Sequence, residues 1–269
     1  MRRAALAASL AALAALLLAT PGFALVVCAD PNNLPFSNRA GEGFENKLVT
    51  LLAHDLHAAV QYIWWAQRRG FVRHTLMPQG CDLWPGIAVG TEGVKTSRPY
   101  FRSTYEFVTR RAEPLQRLTL DDPRLPRLTI GVQLVGYEAM NTPPAQALAE
   151  RGLTQNVRGF SLFGNYQQPN PPAAIIDAVA RGEVDVALVW GPLAGYFAQR
   201  SSTPLRLEPV EDVRYWPMSY DIALGVRADE DDLRHRLDEA LATERPRIDA
   251  LLRSYHIPQL PPAAQRAAR

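Results

Sequence analysis

The sequence predicts an α/β protein made of two similar lobes around a cleft, with the second lobe inserted into the first. Three observations predict it. Strand-like runs alternate with helical periodicities in short compass, the alternation restarts beyond residue 110, and one more strand and a long helix follow the second series. The 269 residues, 47% apolar, supply core enough for one or two domains. Seventeen Gly and 22 Pro without a three-residue period exclude collagen-like and low-complexity chains.

The opening segment is set apart from the rest. Arg2 and Arg3 precede an uncharged run from Ala4 to Ala19, and Pro21-Gly22-Phe23-Ala24 places small residues before a cut after Ala24. That is the pattern of a cleavable export signal. As a membrane anchor the run is shorter than the ~20 residues a bilayer requires, and Ser9 interrupts it. No later stretch is long and apolar enough to span a membrane. Without residues 1–24 the chain carries 27 basic and 27 acidic groups and is formally neutral. Neutrality argues against nucleic acid and anionic lipid as partners and leaves small molecules or another protein. In an oxidising compartment the two cysteines, Cys28 and Cys81, can form a disulfide if their strands are neighbours.

The elements follow in order. Leu25 to Ala29 reads as a strand, and Asp30 to Asn38 as a proline-containing turn. Phe44, Leu48, Leu51, Leu52 and Leu56 recur at helical spacing, predicting a helix from Gly43 to His57. A strand is expected over Val60 to Trp65, a short helix over Gln67 to Leu76, and a third strand at Cys81 to Trp84; this order predicts a parallel sheet. Thr104 to Thr109 is extended, and Arg110 to Arg127 reads as a connection. The second series comprises strands at Leu128–Gln133, Gln155–Phe160 and Val184–Val189, with helices at Pro144–Arg151, Ala173–Arg181 and Pro192–Arg200. After Tyr215-Trp216-Pro217 come a strand from Tyr220 to Val226 and one closing helix from Asp229 to Leu252.

These expectations divide the chain into a leader, 1–24, a first lobe of 25–109 and 216–269, and a second lobe of 110–215. Two crossing connections, near 109–112 and 214–219, would hinge the lobes. That is the design of bacterial periplasmic solute-binding proteins of the type II class.

Particular motifs narrow the resemblance. Val27-Cys28-Ala29-Asp30-Pro31-Asn32-Asn33-Leu34-Pro35-Phe36-Ser37-Asn38 and Gly41-Glu42-Gly43-Phe44-Glu45-Asn46-Lys47 open it. Gln67-Arg68-Arg69-Gly70-Phe71, Gly80-Cys81-Asp82, Arg98-Pro99-Tyr100-Phe101, Asn141-Thr142-Pro143-Pro144 and Asp185-Val186-Ala187-Leu188-Val189-Trp190-Gly191 continue it. In this order they resemble the periplasmic binding proteins encoded beside quinoprotein (pyrroloquinoline quinone, PQQ) alcohol dehydrogenases, including the J-type accessory proteins of methanol dehydrogenase operons. The resemblance implies a non-catalytic periplasmic accessory protein that binds a PQQ-dependent methanol or alcohol dehydrogenase and aids its assembly or activation. It implies no cofactor and a monomer. The alternative within the same fold is the solute-binding receptor of an ABC importer, for a ligand other than an ordinary amino acid.

Departures from the wider fold family support that last restriction. Amino-acid receptors of this fold carry an Arg after the third strand and an Asp at the end of a second-lobe strand. Here Val89 to Thr96 contains no Arg and the second-lobe strand ends in Trp190. A zwitterion buried without charged partners is costly. Candidate cleft or partner-binding residues are instead Asn33, Phe36, Arg68, Arg69, Trp84, Tyr100, Tyr137, Asn141, Thr142, Trp190 and Tyr196. Aromatic rings give large contact area with little rotamer entropy to lose. Arg68 and Arg69 can grip an anion or stay solvated. Asn141 and Thr142 can cap the helix that Pro143 opens, or its N-terminus can cradle an anion. Trp64 and Trp65 are expected to pack opposite faces of one strand.

Enzymatic motifs are missing: the sequence has no Gly-x-Ser-x-Gly elbow, no His-Glu-x-x-His helix, no P-loop and no dinucleotide fingerprint. His54 and His57 have metal-compatible spacing without an evident third ligand, which favours a solvated helix face. Asp30, Glu45 and Asp82 can converge at the cleft edge, but no spacing pairs them as acid and base.

Overall fold

The computed structural model describes residues 23–66, 80–135, 141–161 and 167–261. The expected helix at Gln67–Leu76 lies outside them. β1 (Phe23–Ala29) runs parallel to β4 (Ala58–Trp64) along its whole length and to β5 (Leu83–Ala88) through Val27 and Leu83. Two short strands, β2 (Asn32–Asn33) and β3 (Ser37–Asn38), form a hairpin in the turn after β1.

Helix α1 (Phe44–Asp55) begins where predicted because Asn46 reaches back to its start, its Oδ1 accepting the Gly43 amide at 3.1 Å and the Asn38 amide at 3.0 Å. Its buried stripe, Phe44, Leu48, Val49, Leu52 and Ala53, faces the sheet. β6 (Lys95–Thr96) and β12 (Ser219–Val226) complete this first sheet, with β12 antiparallel to β5.

β7 (Phe101–Arg110) belongs to both halves of the molecule. Phe101 to Thr104 pair with β12, whereas Tyr105 to Thr109 pair antiparallel with β10 (Val186–Trp190) on one side and Glu106 to Arg110 with β11 (Leu205–Pro209) on the other. Beyond β10 lie β8 (Ile130–Leu134) and β9 (Val157–Ser161), both parallel in register. Each sheet is thus mixed, not parallel throughout as its alternating helices suggested: the strands that carry the chain between sheets run against the others.

Helices α2 (Pro143–Glu150), α3 (Ala174–Ala180) and α4 (Gly191–Arg200) cover the second sheet, and α5 (Asp231–Thr243) and α6 (Arg245–Ser254) join α1. The single closing helix expected over Asp229–Leu252 is two. Pro246, in the first turn of α6, has no amide to donate and its ring excludes a continuing helix. The connection after β7 also departs from expectation, since Leu115, Leu118, Leu120 and Leu125 are buried and form a second core with Phe107, Ile130, Val132 and Met218.

The main core is continuous between the sheets, from Leu25, Phe44 and Leu83 through Tyr255 and Ile257 to Ala194, Val189 and Ile175. Cys28 and Cys81, both fully buried, form a disulfide with a Cα separation of 5.7 Å, and Cys81 precedes β5 instead of opening it.

Candidate functional site

The site is built where the chain passes between the sheets. At Tyr105 both faces of one residue's backbone are used: its amide donates to the Met218 carbonyl at 3.0 Å and its carbonyl accepts the Val210 amide at 2.8 Å. The Thr104 hydroxyl lies 3.0 Å from the carbonyls of both Val210 and Met218. Asp212 Oδ1 accepts the Met218 and Ser219 amides, at 2.7 and 2.9 Å, and Arg102 reaches Ser219 Oγ at 2.7 Å and Asp221 at 3.0 Å.

A further passage bridges the same gap. After α6 the segment Tyr255–Leu260 runs between the sheets. The Tyr255 ring stacks on Tyr196 of α4 at 5.7 Å, and its hydroxyl donates to the Glu42 carbonyl ahead of α1. Ser103 Oγ donates to the Pro258 carbonyl at 2.6 Å, and the Leu260 amide to Arg102 at 2.9 Å. Gly195 permits this approach, since a Cβ there would stand 1.9 Å from the His256 carbonyl oxygen.

Trp190, at the end of β10, is half-buried and meets Tyr105 of β7 at 5.3 Å and Tyr220 of β12 at 5.9 Å, both edge-on. Its amide lies 3.4 Å from the Oε1 of buried Gln133. These three rings straddle both crossing strands. Burial drives the Tyr105 phenol far above its ordinary range; Tyr220 is raised by burial and then by the Asp212 charge. Tyr105 and Tyr220 escaped the sequence reading because each falls inside a strand pattern, where alternation alone explains an aromatic residue.

The other candidates are distributed unevenly. Asn33 and Phe36 sit on the loop after β1, where the Asn32 side-chain amide donates to the Gln168 carbonyl at 3.0 Å and so touches the second half of the molecule. Trp84 is half-buried against the disulfide. Tyr100 is instead a core residue, 1% exposed, because it pairs inward as β7 begins. Tyr196 is likewise drawn inward, held between Tyr255 and the Arg200 guanidinium, which lies 3.5 Å from its ring centre.

Thr142 takes the position preceding α2, but its buried hydroxyl donates to the Gln133 carbonyl at 2.6 Å instead of capping the helix. Asn141 Oδ1 accepts the Val135 and Thr142 amides, tying the end of β8 to α2. Arg68, Arg69 and Tyr137 lie outside the described residues. Trp64 stacks on Tyr62 at 4.6 Å beneath Arg39, while Trp65 is exposed.

The three acids do not act together. Asp30 accepts the Asn32 amide at 2.8 Å, and Asp82 accepts the Val26 amide and pairs with Arg227 at 3.0 Å. Glu45 is buried against β5, and burial pushes its carboxyl up to about 8, the nearby Tyr100 hydroxyl offsetting part of the rise. His54 is exposed beside Asp55, and among the described residues no three metal-binding side chains cluster.

Two mixed sheets covered by helices, joined by β7 and by the return into β12, define a type II periplasmic binding protein. Among the described residues no helix is long and apolar enough to cross a membrane. No family model matches the chain. It is 32% identical over 248 residues to Protein MoxJ of Methylorubrum extorquens, covering 88% of this chain and 82% of that protein. The crystal structure of the periplasmic binding protein XoxJ from Methylobacterium extorquens AM1 is similar with a TM-score of 0.73 and 35% identity, over 88% of this chain and 100% of that one. MxaJ from Methlophaga aminisulfidivorans MPT gives 0.74 and 25% over the same shares. The chain belongs to the MoxJ family, the J-type branch that its motifs resemble.

Proposed function

We propose that this protein is a non-catalytic accessory of a PQQ-dependent methanol or alcohol dehydrogenase, exported to the periplasm by a leader spanning residues 1–24, and that it binds the dehydrogenase and aids its assembly or activation. In this reading lobe 1 is 25–109 and 216–269 and lobe 2 is 110–215. The observation that carries it is the third passage between the sheets, Tyr255–Leu260. A receptor that traps a solute rotates its lobes about the hinge strands. Here that rotation would have to part Tyr255 from Tyr196 and open the close approach of His256 to Gly195. The uncharged rings of Tyr105, Trp190 and Tyr220 supply a contact surface suited to another protein's side chains, and add no ionic grip for a metabolite. Asn33, Phe36, Trp84 and Asn141 are the remaining described candidates for that surface.

One observation favours the importer receptor as a second reading: the Asn32–Gln168 bond joins the two halves at the mouth, as closure on a solute would. Deleting the gene and assaying dehydrogenase amount and specific activity in the periplasm separates the two. Loss of active dehydrogenase is expected. Unchanged activity with lost uptake of a solute reverses the assignment.

A further inference from the structure

Of the large apolar side chains among the described residues, Tyr215 is the most exposed, at 67%. It stands in the return from β11 to β12, as the third residue of a tight turn. The Trp216 amide donates to the Val213 carbonyl at 3.1 Å and the Val213 amide to the Trp216 carbonyl at 3.3 Å, which leaves Arg214 and Tyr215 at the centre. Small polar residues are the usual occupants of such positions, so the turn itself does not call for a ring. Val213 and Trp216 pack inward on the second core, whereas Tyr215 points outward beside the Arg214 guanidinium, 5.3 Å from its ring centre.

Hydrogen bonds hold this turn in place. Asp212 Oδ1 accepts the Met218 and Ser219 amides at 2.7 and 2.9 Å, closing its base, and Tyr220 Oη donates to the Pro217 carbonyl at 2.9 Å. Tyr220 packs edge-on against Trp190, so the turn is joined to the rings already described. An aromatic side chain presented on a fixed backbone loses little entropy when a partner covers it, and tyrosine and arginine are enriched among the residues that dominate such contacts.

The base of the same turn sets the chemistry of the partner. A cleft of about 490 Å³, of ligand size, lies between residues 117–121, after β7, and the end of β11 with the residues that follow it. Leu118, Leu120 and Val213 give it an apolar floor, and Asp121, Glu208 and Glu211 bring carboxylates to it. Counting Asp212, four carboxylates line the cleft against one guanidinium, that of Arg117. Asp121 is shared with Arg151 at 2.7 Å, and Glu208 accepts the Arg117 amide at 2.7 Å and feels the Arg124 charge. Glu211 forms no ion pair among the described residues. A metal ion does not fit, since no three metal-binding side chains cluster among those residues. An apolar floor under a carboxylate rim matches a long basic side chain, which lays its stem on apolar surface and keeps its charged head among acceptors.

We propose, resting on the accessory reading, that the Arg214–Tyr215 turn and the cleft at its base dock a basic patch of the dehydrogenase. A lysine or arginine of the partner lies on Leu118, Leu120 and Val213 with its head toward Glu211, and Tyr215 packs into an apolar socket beside it.

The test is capture of purified dehydrogenase by the full chain, measured by surface plasmon resonance at low and at high salt for the unaltered protein, Tyr215→Ala, Glu211→Lys and Trp190→Ala. Tyr215→Ala should weaken capture by at least about 30-fold with an unchanged thermal midpoint. Glu211→Lys should slow association about tenfold at low salt, and the difference should close as salt rises. Capture at full strength by both variants overturns the surface, and weakened capture by Trp190→Ala in the same series then leaves the accessory reading standing without it. A loss in Tyr215→Ala with no effect of Glu211→Lys overturns the basic patch. No capture by the unaltered protein overturns the accessory reading and this surface with it.

Discussion

Replacing Glu45 with Gln should flatten the dependence of stability on pH. The native carboxyl holds its proton up to about pH 8, whereas in the unfolded chain it titrates near its ordinary 4.5. Between those values the native state binds the extra proton, so unfolding free energy falls as pH rises. The contribution is fully present below pH 4.5 and is lost once pH passes about 8. A shift of this size corresponds to a ceiling of about 5 kcal/mol, or at most about 1.4 kcal/mol per pH unit. Glu106 of β7, 4% exposed and raised by burial to about 8, acts in the same window with the same sign.

The unaltered protein should therefore lose stability at up to twice that slope, and Glu45→Gln at about half the unaltered protein's slope. Above pH 8 the variant should be the more stable protein. Urea unfolding followed by circular dichroism from about pH 5 to about pH 9 measures both curves. Parallel curves for the two proteins, or no decline in the unaltered one, would refute the view of Glu45 as a buried carboxyl without a cationic partner among the described residues.

Four further outcomes follow from other parts of the molecule. Cys28→Ser with Cys81→Ser should cost on the order of 4 kcal/mol in urea unfolding, because the disulfide closes a separation of 53 residues; an unchanged midpoint would show that the bond does not constrain the unfolded chain. Gly195→Ala places a methyl on the His256 carbonyl oxygen and should destabilise by about 1–3 kcal/mol, with a larger radius of gyration in X-ray scattering if the third passage sets the angle between sheets. Trp190→Ala should weaken capture of the dehydrogenase by at least about 30-fold, measured below the lowered thermal midpoint that loss of its packing on Tyr105 and Tyr220 entails; binding at full strength would move the docking face elsewhere. Sequencing of the periplasmic protein should begin at Leu25. Retention of Phe23, whose ring lies 4.8 Å from the Arg236 guanidinium, would place the cut earlier.

Much of the fold was legible because its signals are local. The spacing of Phe44, Leu48 and Leu52 marked α1, and the Val184–Val189 run marked β10 within two residues. β11 was not legible: Leu205–Pro209 is five residues bounded by Pro204 and ended by Pro209, and it is a strand only because the edge of β7 is there to receive it. Pro246 did announce the break between α5 and α6, but the apolar periodicity on both sides masked it. In the site, Trp190 could be read from its place before Gly191-Pro192. Tyr100 and Tyr196 could not be told from cleft residues, since an aromatic side chain carries the same signal inside and at a mouth. Glu45 read as one of three acids that could converge at the cleft edge, and its burial against Gly86, 41 residues away, left no local signal.

The way Tyr105 uses its backbone has a consequence for how the molecule can vary. The excursion from Glu211 to Pro217 leaves and rejoins the fold beside Tyr105 and is pinned by Asp212, by the Val213–Trp216 bridge and by the packing of those two side chains on the second core, so only its tip at Arg214 and Tyr215 can change length without disturbing the rest. Residues added around Tyr215, which is 67% exposed, would enlarge a surface protrusion without shifting the alignment of any strand. A reporter peptide grafted there should leave the scaffold undisturbed.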